Sequence, residues 1–399
     1  MTISRFTKTF YIFRFFFEFV LIFAVRKLFF LYRGLDITDM AIILAVSSIL
    51  MIIFEVPSGA IADRWNRKTV LVFAGVLRAV CMSIWILSSN LPMFISGSAI
   101  LVLGYSLESG TLQAYVYDIL KTYDKENDFE KIWGRGSAFQ LIGTAVASAI
   151  GGFLSTYSYE MTVGLSASGP LFAIIILLSF PGDTRTGKPE NRRYFYILVN
   201  GVKKALSTPV FMRIFLHSGI VLAGFGVIDQ YIPVLLHDRL NLSNTFIGIW
   251  LAVGVAISSA GSMLAHRLKE HNWKILFTIT IVSGLLTGCI VFTRSPLILA
   301  VIVIFYLFFV ITWILIEGII QRSIDSEERA TITSVNSLVT QIGVTTLSLV
   351  FGLLSDKFGI QIGYGFYGVL FLLYSFAAFI YLLLRKLRKT IKRELPIAS

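Results

Sequence analysis

Apolar residues dominate long stretches of this chain, and most charges fall in the short gaps between them. The apolar runs lie near 10–31, 40–58, 69–88, 92–116, 133–154, 160–180, 211–236, 245–266, 273–293, 296–320, 331–354 and 364–384. Each approaches or exceeds the ~20 residues needed to cross a hydrocarbon core. Only helices and closed barrels satisfy their backbone groups in lipid, and runs this continuous are helices. The pattern predicts an all-α membrane protein with about twelve transmembrane helices. The longest polar interruption, PGDTRTGKPENRRYFYILVNGVKKALSTPV (Pro181–Val210), falls at the midpoint. Its first part is rich in turn residues. From about Asn191, basic and aromatic residues alternate at near-helical spacing, which predicts an amphipathic helix on the membrane surface.

The two sides of that interruption repeat one another. GLDITDMAI (Gly34–Ile42) resembles RLNLSNTFI (Arg239–Ile247), and SGTLQ (Ser109–Gln113) resembles EGIIQ (Glu317–Gln321). GSAFQLIG (Gly136–Gly143) aligns with NSLVTQIG (Asn336–Gly343), GFLS (Gly152–Ser155) with GLLS (Gly352–Ser355), and ADR (Ala62–Arg64) with AHR (Ala265–Arg267). The order is shared and the offset stays near about 200–209 residues, as expected of a duplicated membrane bundle. Two pseudo-symmetric six-helix bundles follow, 1–182 and 211–399, with a linker over 183–210.

Composition agrees with the pattern. Charged residues make up 15% and hydrophobic ones 56%, where a soluble domain carries about a quarter charged. The net charge of +12 would suit nucleic acid if it formed a stripe on a soluble surface. It lies between apolar runs instead, so nucleic acid is excluded as a partner and the lipid bilayer is expected. With the N-terminus inside, most Lys and Arg, including the tail RKLRKTIKR, fall on the inner side, so both termini are expected in the cytoplasm. The segment after MTISRFTKTF lacks a small-residue cleavage site and is expected to stay as the first span. Cys81 and Cys289 lie in apolar runs, and the four His form no ligand-spaced pair, so no metal site and no cofactor are expected.

The loop between the second and third runs reads FEVPSGAIADRWNRK (Phe54–Lys68). Gly59 and Ala60 are small enough for close helix approach. Asp63 and Arg67, four apart, can pair along a helical turn. GAIADRWNRKTVL (Gly59–Leu71) resembles the signature loop of the major facilitator superfamily, roughly G-x-L-a-D-r-x-G-r-k. Asn66 replaces the second Gly, and Asn tolerates the left-handed backbone expected there. The resemblance covers essentially the whole chain. It implies that Asp63 caps the start of the eleventh helix near Ala330–Ile332 and that Arg67 bridges to Asp118. Those contacts would tie the halves together when the cytoplasmic side is shut. Arg64, Arg67 and Lys68 also suit plain topology anchors.

A second stretch, GTAVASAIGG (Gly143–Gly152), resembles the antiporter motif G-x-x-x-G-P-x-x-G-G on helix five. Gly143, Gly151 and Gly152 are kept, while Ala147 and Ser148 replace Gly-Pro. It reads equally as a small-residue packing seam. Ser106 stands where many proton-coupled exporters of the family carry a buried Arg on helix four.

Ionisable residues inside spans are costly and mark function by default. Arg14 and Glu18 lie one turn apart on the first span and can pair within it. The resemblance puts helices one, four, seven and ten around a central cavity, so the pair would face substrate. Asp229, in VLAGFGVIDQYIPVLL, has no basic residue within a turn on its own helix. A carboxylate so held from water can load and release a proton, with Gln230 as a polar neighbour. Glu108 and Glu317 occupy nearly repeat-related positions and could carry protons or a cation from opposite halves. Glu55 and Arg78 read as packing or inter-helix partners.

The resemblance implies a monomeric secondary transporter of a small molecule, working by alternating access in a bacterial cell membrane. No GxxxxGK[ST] loop points to ATP, so the proton gradient is the expected energy source. The likeness is strongest to drug- and metabolite-efflux members. Import of a sugar or organic acid is the alternative, and a membrane sensor or enzyme a remote one, as no catalytic constellation is present. The surplus of cavity acids points to a cationic or zwitterionic solute, while Arg14 and Arg78 could serve an anion.

Overall fold

The computed structural model describes residues 2–182, 209–265, 272–323 and 326–394. The linker with its expected surface helix lies outside them. The first half holds α1 (Ile3–Phe17), α2 (Arg26–Tyr32), α3 (Ile37–Arg64), α4 (Arg67–Leu87), α5 (Leu91–Thr122), α6 (Phe129–Leu154), α7 (Tyr159–Ser166) and α8 (Ser168–Leu178). The second half holds α9 (Pro209–His217), α10 (Ala223–Leu240), α11 (Asn244–Ala265), α12 (Asn272–Phe292), α13 (Leu297–Ser323), α14 (Ser326–Phe358) and α15 (Ile360–Glu394). Among the described residues, 11 helical stretches are long and apolar enough to cross a membrane. The pairs α7–α8 and α9–α10 each make one of them, the latter through a π-helical turn at Ser218–Leu222.

The first expected span is not among those 11. It breaks after Phe17 and passes through a 3-10 turn, Leu21–Val25, before α2. Glycines on neighbouring helices account for the break. A Cβ at Gly143 would lie 2.3 Å from the Phe15 carbonyl oxygen, one at Gly151 1.8 Å from that of Leu21, and one at Gly169 2.0 Å from that of Phe19. The broken backbone therefore lies directly on α6 and α8. Ser166 Oγ accepts from the Ile22 amide at 2.9 Å, replacing a lost helical bond. So the glycines of GTAVASAIGG serve as a packing seam for the first span and, at Gly152, for the other half.

The halves meet mainly through α3 against α14 and α6 against α11. At the second crossing a Cβ on Gly248 would lie 2.4 Å from the Ser148 oxygen, and one on Gly152 2.5 Å from the Asn244 oxygen. These contacts belong to the end opposite Phe54–Lys68. At the basic end the picture reverses: Gly59, Gly110 and Gly134 have nothing within 4 Å of an added Cβ. Glu55, Pro57 and Gly59 are exposed. Among the described residues, the halves touch closely at the one end and the basic end has open space beside these glycines.

Candidate functional site

The first half buries a chain of charges. Arg78, on α4, is 0% exposed. It donates twice to Glu18, at 3.2 and 3.0 Å. Its guanidinium sits 4.2 Å from the Phe17 ring centroid and 4.6 Å from that of Tyr105. Glu108, on α5, lies 3.5 Å from Arg14 and 3.9 Å from Arg78. Arg14 also donates to Gln140 Oε1 and stacks over Trp133 at 5.1 Å. The expected pairing of Arg14 with Glu18 along one helix is thus corrected. Because α1 ends at Phe17, Glu18 has left the helix (φ −102°, ψ 7°) and reaches α4 instead. Arg14, Arg78, Glu18 and Glu108 thus each meet an opposite charge, the condition under which burial is tolerable.

A second pair of cations begins α2. Arg26 Nη2 donates to Gln230 Oε1 across the two halves at 2.8 Å, and its guanidinium lies 5.4 Å from the Phe23 ring and 5.9 Å from the Trp85 ring. Lys27 is 4% exposed. Its Nζ sits 4.6 Å from the centre of the Tyr231 ring and donates to the Met40 carbonyl at 3.4 Å. Among the described residues no carboxylate lies within ion-pair distance of either. Sequence reasoning missed this pair, although it falls inside the first apolar run. Near the end of a run, adjacent cations read as interface anchors. The signal that could have found them was the repeated length of the run, which extends past them to Leu31.

Asp229, on α10, is half-buried. Among the described residues it takes no hydrogen bond or ion pair. The Tyr306 and Tyr364 hydroxyls, from α13 and α15, share its electrostatic surroundings. Tyr364 donates to the Ile228 carbonyl at 3.2 Å, while the buried Tyr306 hydroxyl has no partner. Gln230, expected as its helper, is turned to Arg26. Glu108 and Glu317 are engaged separately: Glu108 with the two arginines, Glu317 with Gln321 of its own helix at 2.8 Å. Of the acids that suggested a cationic solute, Glu18 and Glu108 are neutralised by protein arginines.

At the basic end, Arg67 and Asp118 form an ion pair. Lys68 Nζ donates to the Leu178 and Phe180 carbonyls at 2.8 and 2.7 Å, closing the end of α8. Arg64 is exposed. Two expectations are corrected here. Asn66 has φ −60°, ψ 119°, which is extended rather than left-handed, because it caps α4 by accepting from the Thr69 amide. That cap divides the loop, so Asp63 and Arg67 stand on different helices and do not share a turn. The expected contact of Asp63 with Ala330–Ile332 lies outside the described side chains.

The opposite end carries cross-half contacts that the sequence did not signal. The Asp356 carboxylate accepts from the amides of Ile37 at 3.0 Å and Thr38 at 2.6 Å, capping α3 from the other half. Asn244 Nδ2 donates to Tyr159 Oη at 2.8 Å and to the Ser155 carbonyl at 3.5 Å.

Comparison with known proteins agrees with this architecture. A solved structure of a variant of the nucleoside transporter NupG superposes with a TM-score of 0.82 at 12% identity, covering 94% of this chain and 98% of that one. A bacterial homologue of the human lysosomal transporter Spinster, inward-facing and unoccupied, gives 0.74 at 15% identity over 93% and 95%. A D-xylose–proton symporter gives 0.68 at 15% identity over 93% and 95%. At such identities these likenesses speak to fold alone. No curated protein matches by sequence. A family profile described as Major Facilitator Superfamily matches residues 9–345. With two halves meeting through paired helices around buried charges, and that profile spanning most of its length, the chain belongs to the Major Facilitator Superfamily.

Proposed function

We propose that this transporter is a proton-coupled exporter of a small solute, with Asp229 as the group that loads and releases the proton. The carrying observation is that among the described residues Asp229 stands without a cationic partner, whereas Glu18 and Glu108 are tied to arginines. A carboxylate without an ion-pair partner can change its exposure as the two halves rock, which a locked one cannot. The end with open space beside Gly59 bears the basic loop, so the positive-inside rule assigns it to the cytoplasm, the side from which an exporter takes its solute. Asp356 and Asn244 then hold the outer end shut.

The test is a growth panel in a bacterium stripped of its own efflux pumps, comparing the wild type with Asp229→Asn across toxic solutes of varied charge. Protection by the wild type and not by the equally expressed variant supports the reading. Equal protection by both removes Asp229 from coupling. Import driven by the same gradient is the second reading. It is favoured by α6, which runs unbroken through Ala147 and Ser148, where the exporter motif has Gly-Pro. Increased sensitivity of the wild type to a toxic solute would select it.

A further inference from the structure

We infer that the solute carries an anionic group, a carboxylate or phosphate, and that Arg26 and Lys27 receive it where the two halves touch. This rests on the transport reading but not on its direction or coupling. Four cations lie inside the first half: Arg14, Arg26, Lys27 and Arg78. Only two carboxylates, Glu18 and Glu108, accompany them among the described residues, and both serve Arg14 and Arg78. Two positive charges are left over, adjacent in sequence and both within the first span.

Their surroundings are those of a receptor. Lys27 keeps one weak bond to a carbonyl and one ring face, and its ammonium has no anion. Arg26 spends one guanidinium nitrogen on Gln230, a neutral acceptor. An uncompensated cation at membrane depth is strongly disfavoured unless it lines a water-filled cavity or meets an anion. The site lies where the halves touch, between Trp85 and Phe23 on one side and Gln230 and Tyr231 on the other. An anion entering from the basic end would draw Arg26 off Gln230, loosening a bond between halves as it binds. The aromatic faces would suit an organic body attached to the charged group. Asp229 lies next to Gln230 in sequence but outside ion-pair range of both cations, so it leaves the site positive.

The test uses the purified full-length protein in detergent, with thermal unfolding as the readout. The probes, at about 5 mM and matched ionic strength, are inorganic phosphate, mono- and dicarboxylates, sugar phosphates and aromatic sulfonates. Neutral sugars and quaternary ammonium salts are the controls. At least one anion class should raise the unfolding temperature by several degrees, and the controls should not. Arg26→Gln and Lys27→Gln should each weaken that anion about tenfold or more, and Lys27→Arg should retain most of it. With no ligand present, Lys27→Met should unfold at a higher temperature than the wild type, because it removes an unmatched charge. A purely structural Lys27 would give the reverse. The inference is overturned if no probe anion shifts the wild type, if the shift survives both Gln variants, or if neutral or cationic solutes do as well. Binding in detergent needs no proton gradient. Anion binding alongside normal transport by Asp229→Asn would sink only the coupling reading, and lost anion binding alongside coupled transport would sink only this one.

Discussion

Asp356 reaches across the interface to cap α3, and Asp356→Ala removes both bonds at once. The two acceptor contacts, at 3.0 and 2.6 Å, are charge-assisted and aimed at a helix N-terminus. Hydrogen bonds to a charged group contribute about 1.5–3 kcal/mol each when sheltered. Asp356 is exposed, so water and salt screen it, and about 1–2 kcal/mol for the pair is the reasonable scale. The helix itself should survive, because Asp36 still caps it by accepting from the Asp39 amide at 2.7 Å. The loss therefore falls on the equilibrium between closed and open states of this end, moving it by about 5–30-fold. Spin labels at Tyr157→Cys and Asp238→Cys, exposed on the two halves at this end, report that equilibrium in a Cys289→Ser background. Pulsed dipolar measurements should show the longer separation gaining population by that factor in Asp356→Ala. An unchanged distance distribution, in protein of equal thermal stability, would refute the idea that Asp356 holds this end shut.

Two further outcomes follow from burial and close approach. Arg78→Met leaves Glu18 and Glu108 short of a cation in the interior, so it should cost about 3–5 kcal/mol and lower the unfolding temperature sharply. Calorimetry of the purified variant checks this, and stability equal to wild type would mean that water or Arg14 replaces Arg78 at no cost. Gly151→Ala puts a methyl 1.8 Å from the Leu21 oxygen, so the first span must leave α6. Its yield of folded protein, read by gel filtration, should collapse, whereas Gly134→Ala, with open space around it, should behave as the wild type.

Much of the architecture is legible because lipid imposes it: a run of apolar residues long enough to span has few alternatives to a helix. The duplicated order of short matches likewise reflects the two halves. What escaped depends on contacts between distant residues. FRFFFEFVLIFAV reads as one helix, and its break is written in Gly143, Gly151 and Gly169, far along the chain. Arg14 and Glu18 have the spacing of a helical pair, but a helix that ends at Phe17 sends them to different partners. Arg26 and Lys27 resemble anchors at the edge of a span, and only Gln230 and Tyr231 reveal that they are enclosed. Asp356 falls just past the apolar run 331–354, and its target is a pair of amides 319 and 318 residues away, which no local pattern encodes.

The empty space beside Gly59 has a use beyond explaining the present shape. If the basic end must shut for the solute to leave on the far side, that glycine is where the approaching helices would need room. A bulky side chain there, as in Gly59→Leu, would rest in open space now and act as a doorstop later. Such a variant would still admit solute and then stall before releasing it. It offers a physical means of holding the population in one posture, so that the occupied cavity can be imaged and its contents recovered from the membrane.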